Sequence, residues 1–494
     1  MQPRLSRWLL TTVGIGFVLI TFVAFQVLNQ ETQSYTQNEN IYDETKEVDE
    51  DISDKQEQEV LVEEAEQSEA EEKKFTSKPE DIPIILWWTP FTHEKWKLKT
   101  CGKPTDRCYI TENRQYIDDP RLKVVLFYGT DFPVGDLPLP RKPHHQWALL
   151  HEESPKNVYM FSHSEIMDLF NHTSTFKRES DYPIPLQFLK SIRSVETTRY
   201  MVSTAKKNKL LSQLAIVNYV QSDCHAPSDR DHFVEMLQRH IKVDSYGECL
   251  HNKDLPENLK DPLQNMLKAD FLKYLAQYKF TIAMENAVCD DYMTEKMWRP
   301  FITGSVPILF GSPKAREFLP ANKSAIFIED FKTIRDLVEH LLFLNSSDEH
   351  YEEYLQFKKI GVQNQKLKQV VSARDWSTGS EYVPGKYYHF VEGFECFICR
   401  RLQQNIQREK NGKRPFTYSA NVKHYGCPKP KKFSDSPKGS LERVDDPFIA
   451  EEYIQSEYEA RVLRKYIDEG EQISFSQLYK TAFQLRRTEN RSGL

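Results

Sequence analysis

From Trp8 to Leu28 the chain runs for 21 residues without an ionisable side chain. At about 1.5 Å per helical residue such a run spans the roughly 30 Å hydrocarbon layer of a bilayer, where a helix keeps its own backbone hydrogen bonds satisfied. The run is longer than a signal-peptide core, and cleavage after Ala24 would put bulky Phe22 where a small residue is needed. A retained anchor is the expectation. Arg4 and Arg7 precede it and acidic residues follow, so the positive-inside bias leaves residues 1–7 cytosolic and everything after Leu28 in a lumen.

Residues 31–72 hold 17 acidic side chains against two lysines, a local sum of −15 within a whole-chain charge of −7, which leaves +8 for the remainder. Like charges with almost nothing apolar to bury make residues 29–80 an extended stalk. The body is then mildly basic. That suits an anionic small ligand and is too dilute to argue for nucleic acid. Aromatic residues reach 12% of the chain, far too many for a chain disordered throughout, and the length remaining after the stalk allows one large core or two.

All eight cysteines lie after residue 100, and in an oxidising lumen an even number reads as disulfides before it reads as metal. Cys396 and Cys399 form a C-x-x-C without the second half of a zinc site. Asn171, Asn322, Asn345 and Asn490 open N-x-S/T triplets that a lumenal chain can glycosylate.

Short apolar runs alternate with helix-like stretches through the body, the pattern of α/β layers. Ile82–Trp88, Val124–Tyr128, Leu214–Val220, Phe280–Met284, Val306–Phe310 and Ala325–Ile328 read as buried strands. Arg230–Ile241, Thr294–Ile302, Ile334–Leu344 and Glu349–Lys358 carry apolar residues at helical spacing. Two α/β domains are expected, over 81–205 and 206–385, followed by a C-terminal region, 386–494. In that region the Lys-, Arg- and Pro-rich part up to Arg443 reads as a surface connection, and the part beyond Pro447 as an amphipathic helix reaching about Ile467.

The richest block begins in a strand and ends in a helix: Phe280 to Asn286, then Asp291-Tyr292-Met293-Thr294-Glu295-Lys296, Trp298-Arg299-Pro300 and Gly304-Ser305-Val306-Pro307-Ile308. In an α/β sheet ligands collect beyond the carboxyl ends of the strands, where a helix N-terminus offers free N–H groups to a phosphate. Thr294 reads as the N-cap. Lys296 in the first turn works against the helix dipole, so an anionic ligand gives it a reason to be there.

This block resembles the donor signature of glycosyltransferase family 10, the α-1,3-fucosyltransferases: Phe-x-Glu-Asn, then Asp-Tyr-Val-Thr-Glu-Lys, then Gly-x-Val-Pro-Val. Met284 stands where many relatives have Phe. Leu126–Phe132, His151-Glu152-Glu153-Ser154-Pro155 and Val243–Gly247 resemble a divergent branch of that family, the one containing α-(1,3)-fucosyltransferases 10 and 11. The likeness covers roughly residues 83–400. It implies a two-domain GT-B fold of Rossmann-like domains facing a cleft, GDP-β-L-fucose as donor and an inverted, α-linked product.

Carried over position by position, the resemblance makes Glu295 the carboxylate on the guanosine ribose, with Lys296 and Arg230 the cations on the diphosphate. Glu285, Asn286 and Tyr292 fall in the donor pocket, Glu285 being equally readable as a structural carboxylate. Glu153 matches the base that deprotonates the acceptor hydroxyl, with Glu152 as its competitor. Asp229-Arg230-Asp231 spells D-x-D, a metal pattern in other glycosyltransferases, but two fixed cations can stabilise departing GDP without metal; no cofactor is expected. His144, His145 and His151 lack metal-ligand spacing. The family also implies that Cys101 and Cys108 pair with Cys396 and Cys399, in an order left open, and that Arg178 is an inner structural or donor-side residue. Cys224, Cys249, Cys289 and Cys427 permit three pairings or free thiols.

The implied function is transfer of L-fucose to glycoprotein or glycan acceptors of the Golgi or endoplasmic reticulum. The acceptor half departs from the Lewis-type enzymes, which favours Ser or Thr of folded protein domains over GlcNAc of N-glycans or lactosamine. A catalytically silent, membrane-anchored lectin or chaperone on the same scaffold is the non-enzymatic alternative.

Overall fold

The structure is a computed structural model that describes residues 82–89, 96–260, 268–374 and 390–492. The expected membrane span, 8–28, and stalk, 29–80, lie outside the described residues. Among the described residues no helix is long and apolar enough to cross a membrane.

The chain divides into two units. The smaller comprises Met1–Thr76 and Asp254–Tyr274. Its described part holds a 3-10 turn, Glu257–Leu259, and most of the helix Ala269–Leu275. The larger unit, Ser77–Lys253 with Leu275–Leu494, contains both main sheets.

The first sheet is built from β1 (Ile84–Thr89), β2 (Trp96–Thr100), β3 (Arg107–Thr111), β4 (Leu122–Tyr128), β5 (Gln146–His151) and β6 (His172–Thr175), in the order β2-β3-β1-β4-β5-β6. Every pairing is parallel except β2 with β3. The second sheet is built from β7 (Val217–Tyr219), β8 (Val243–Ser245), β9 (Phe280–Met284), β10 (Val306–Phe310) and β11 (Ile326–Phe327), in the order β11-β10-β9-β7-β8, parallel throughout. Its order reverses between β7 and β9, and the loops leaving such a switch point diverge to leave a crevice at the strand ends.

Parallel sheets must be covered on both faces, and β4, β9 and β10 are accordingly buried almost from end to end. Five helices frame the site and its supports: α1 (Arg230–Gln238), α2 (Glu295–Thr303), α3 (Phe390–Lys410), α4 (Glu451–Glu469) and α5 (Phe475–Ser492). On one face of the first sheet, Ile85, Val124 and Leu126 pack with Val391, Phe394, Ile398 and Leu402 of α3. On the other, Leu86, Val125 and Phe127 share a core with Ala460 and Leu463 of α4 and Leu478 of α5. The first sheet is thus sandwiched by the last hundred or so residues of the chain.

Several expected bounds shift. The strand expected over Leu214–Val220 shortens to β7, and the helix expected over Glu349–Lys358 breaks into Asp348–Glu353 and Phe357–Ile360. The surface connection expected after residue 386 is instead α3, a 21-residue helix. It is clamped by two disulfides, Cys101–Cys396 and Cys108–Cys399. Inside that contact the buried Glu395 accepts from Trp87 Nε1 at 2.6 Å and pairs with Lys99.

Candidate active site

The loops after β7 and β9, on either side of the switch point, carry the motif residues. At the end of β9, Glu285 turns both carboxylate oxygens to one residue: it accepts from Thr294 N at 2.7 Å and from Thr294 Oγ1 at 2.7 Å. Thr294 is the N-cap of α2. Glu285 therefore fixes the helix start, and its side chain needs room to do so. A Cβ on Gly311, at φ +155°, would lie 2.7 Å from Glu285 Cγ.

Lys296 projects from the first turn of α2 into this group. Its Nζ lies 3.1 Å from Glu295 Oε1, 3.2 Å from Thr294 Oγ1 and 3.9 Å from Glu285 Oε2. Burial would push the Glu295 carboxyl up, but Lys296 and Arg299 hold it down to about 2. Glu285 titrates above the ordinary range because burial outweighs Lys296. The α2 N-terminus thus joins the positive end of the helix dipole, one ammonium and an ionised carboxylate, an arrangement that can hold the paired phosphates and sugar hydroxyls of a nucleotide.

Glu153 comes from the other sheet, two residues beyond the end of β5. Burial raises its carboxyl; Lys296 pulls the other way, and Glu295 and Glu285 add to the rise. The sequence-predicted base and the sequence-predicted phosphate cation therefore lie in one electrostatic cluster. Glu152 accepts from Tyr128 Oη at 2.8 Å, and burial together with Glu153 raises it. Tyr292 is buried with its ring 5.0 Å from Phe176, and its hydroxyl is raised by burial and by the charges of Glu153, Glu285 and Glu295.

Arg230, at the start of α1, is fully enclosed at 0% exposure. It donates to Met284 O at 3.4 Å and to Asp223 O at 2.5 Å and lies 3.6 Å from the Asp223 carboxylate, while its Nε has no partner among the described residues. It thus reaches the end of β9, the strand that leads into Glu285 and Asn286. Asp223 also pairs with Lys156 from the Glu153 loop. Asn286 gives its carbonyl to Ser228 N at 3.0 Å, while its buried side-chain oxygen has no partner among the described residues.

The D-x-D carboxylates are committed to the fold. Asp229 accepts from Phe433 N at 2.7 Å, and Asp231 accepts from Tyr219 Oη at 2.9 Å and His225 N at 2.7 Å. Cys224 and Cys249, which lie near Asp231, are bonded to each other. His145 and His151 are held neutral by burial, at about 4 and about 3.

Asn171 does not have the form of a glycan site. Its amide nitrogen donates to Tyr418 O at 2.9 Å, and its oxygen accepts from Arg141 and from Trp147 N. Asn322 is exposed in a loop, and Asn345 is half-buried in the last turn of the helix Ile334–Ser346.

Two links between distant segments complete the site, and only the residues, not their partners, were legible in the sequence. Arg178 donates from Nε to Asp291 Oδ1 and from Nη1 to Glu317 Oε2, each at 2.8 Å, and thereby ties the loop after β6 to the donor block. Cys289 pairs with Cys427, bringing the 420–433 segment against Glu153. The signal for the second was the position of Cys289 inside the donor block, but four unassigned cysteines left the partner open.

Two family models match the chain: "Fucosyltransferase, N-terminal" over residues 80–187 and "Glycosyltransferase family 10 (fucosyltransferase) C-term" over residues 205–414. Similar curated proteins are named GDP-fucose protein O-fucosyltransferase 3. The Gallus gallus protein is 44% identical over 413 residues, covering 83% of this chain and 85% of that protein. The Homo sapiens protein is 44% identical over 408 residues, covering 82% and 83%. Among solved structures, an α1,3-fucosyltransferase with GDP aligns at a TM-score of 0.36 and 16% identity, over 67% of this chain and 93% of that one.

Proposed function

We propose that this chain, which belongs to glycosyltransferase family 10, transfers L-fucose from GDP-β-L-fucose to Ser or Thr of protein acceptors. The observation that carries the mechanism is that Glu153 of one sheet and Lys296 of the other share one cluster. Curated relatives more than 40% identical over most of their length are named for protein O-fucosylation, and this supports the acceptor.

In the proposed reaction the acceptor oxygen attacks the anomeric carbon from the face opposite the diphosphate. The new C–O bond forms as the bond to the diphosphate breaks, and its electron pair leaves on GDP. Glu153 takes the acceptor proton; its raised affinity for protons makes it a stronger base than an exposed carboxylate. Lys296, at the positive end of α2, stabilises the charge growing on the leaving phosphate. Glu295, kept ionised by Lys296 and Arg299, accepts from the ribose hydroxyls. Glu285 acts one step back by setting the helix start, and Arg230 supports the strand end from which Glu285 and Asn286 emerge.

We further propose a GT-B arrangement of the two sheets, membership in the divergent branch of the family, and a type II anchor in the endoplasmic reticulum or Golgi membrane. The reaction runs without metal. The engagement of Asp229 and Asp231 in the fold supports this, because it removes the D-x-D pair as ligands.

The test incubates full-length protein with labelled GDP-fucose and a secretome in EDTA, removes N-glycans, and sequences the labelled peptides. Label on Ser or Thr is expected. Label that leaves entirely with the N-glycans would overturn the acceptor assignment, and restoration of transfer only by a divalent cation would overturn the metal-free one.

A further inference from the structure

The strap 420–433, after α3, lies beyond the span matched by the family models, which ends at residue 414, yet it touches the reacting machinery. It is pinned first to the first sheet, where Ala420 N donates to Phe170 O at 2.8 Å and Thr175 Oγ1 donates to His424 O. It is pinned next to the donor block by Cys289–Cys427, and last to the cap of α1, where Phe433 N donates to the Asp229 carboxylate at 2.7 Å.

Between these anchors stands Tyr425, fully buried. Its ring lies 5.1 Å from that of His151 and 5.2 Å from that of Phe176, and its Oη donates to the backbone carbonyl of Glu153 at 3.0 Å. Burial and the neighbouring Glu153 raise the phenol far above its ordinary range, so it stays protonated and remains a donor.

We infer that Tyr425 is a positioning residue for the Glu153 base, and that the disulfide-anchored strap 420–433 is a built part of the catalytic cleft. This rests on the function proposed above. Glu153 is placed by backbone torsions just past a strand end, where nothing in β5 dictates which way its carboxyl turns. A hydrogen bond to its own carbonyl fixes that peptide plane, and errors of about half an ångström in a base are enough to lose rate. Because Cys427 is two residues from Tyr425 and Cys289 is three from Tyr292, one disulfide holds the donor-side tyrosine and the acceptor-side tyrosine to a common frame.

The test compares wild type, Tyr425→Phe and the double variant Cys289→Ser/Cys427→Ser as full-length proteins. Tyr425→Phe keeps the ring and removes only the donor. Expected for it are a kcat lowered about tenfold, the scale of one lost buried hydrogen bond, an unchanged KM for GDP-fucose, a Tm lowered by only a few degrees, and faster amide exchange over residues 152–157. The double Ser variant should lose at least as much kcat. Wild-type kcat in Tyr425→Phe, or kcat and GDP affinity falling together, would overturn the assignment. If the wild type transferred no fucose at all, the proposed function would fail by itself. The exchange measurement would still decide the positioning, with unchanged protection at 152–157 refuting it.

Discussion

Lys296→Met removes the cation common to three carboxylates while leaving the stem that packs at the start of α2. In the free protein that ammonium lies 3.1 Å from Glu295 and 3.9 Å from Glu285, and it opposes the rise of Glu153. With GDP bound it would donate to the diphosphate. A charge-assisted hydrogen bond of that kind contributes about 1.5–3 kcal/mol. Its loss also leaves Glu153, Glu285 and Glu295 facing the phosphates, with Arg299 as the cation still beside Glu295. A total near 3 kcal/mol corresponds to roughly 150-fold in the Kd for GDP, read by isothermal titration of the full-length protein. A second consequence has a definite sign. Lys296 lowers the Glu153 carboxyl, so without it Glu153 holds its proton to higher pH. The acid limb of kcat/KM then moves upward, and the variant loses more activity at pH 6 than at pH 8. GDP affinity within threefold of wild type, with an unmoved acid limb, would refute the reasoning, because no ligand or base could then depend on that charge.

Glu153→Gln should lower kcat by at least about a hundredfold and leave the Kd for GDP within twofold; a parallel loss of GDP affinity would place Glu153 on the donor instead. Arg178→Ala leaves Asp291, 1% exposed, without its guanidinium, and losing charge-assisted hydrogen bonds from a part-exposed arginine costs about 1.5–3 kcal/mol. A clear fall in Tm by calorimetry checks it, and a drop of under a degree would argue against the bridge. Cys101–Cys396 and Cys108–Cys399 close loops of 295 and 291 residues side by side, so each alone still closes the long loop. Removing one should cost about 3 kcal/mol and removing both about 8, measured by denaturant unfolding; simple additivity of the single losses would contradict this.

How far the sequence could be read depended on whether a feature is local. The apolar runs Val124–Tyr128, Phe280–Met284 and Val306–Phe310 announced strands buried on both faces, because no polar alternation interrupts them. Thr294 was legible as an N-cap since its hydroxyl sits just before the helical residues. Glu285 was legible as a carboxylate at a strand end, but not as the partner of Thr294, which requires the β9-to-α2 loop to fold back. The helix α3 was obscured because its inward stripe of Val391, Phe394, Ile398 and Leu402 is followed without a break by the Lys-, Arg- and Pro-rich residues up to Arg443, which set the character of the whole stretch. Asn171 matched a glycan triplet that says nothing about where its amide points. In the folded chain that amide bridges Tyr418, Arg141 and Trp147.

By itself the sequence determined the α/β class, the acidic tract, and the chemistry gathered where β9 meets α2, since periodicity, charge and capping act over a few residues. Only the tertiary structure decided which cysteines meet, that Arg230 is fully enclosed, and that Tyr425 reaches the backbone of Glu153. Those outcomes join residues far apart in the chain, and they depend on how two sheets and a returning C-terminal segment bury their apolar faces together. No local spacing encodes such a meeting.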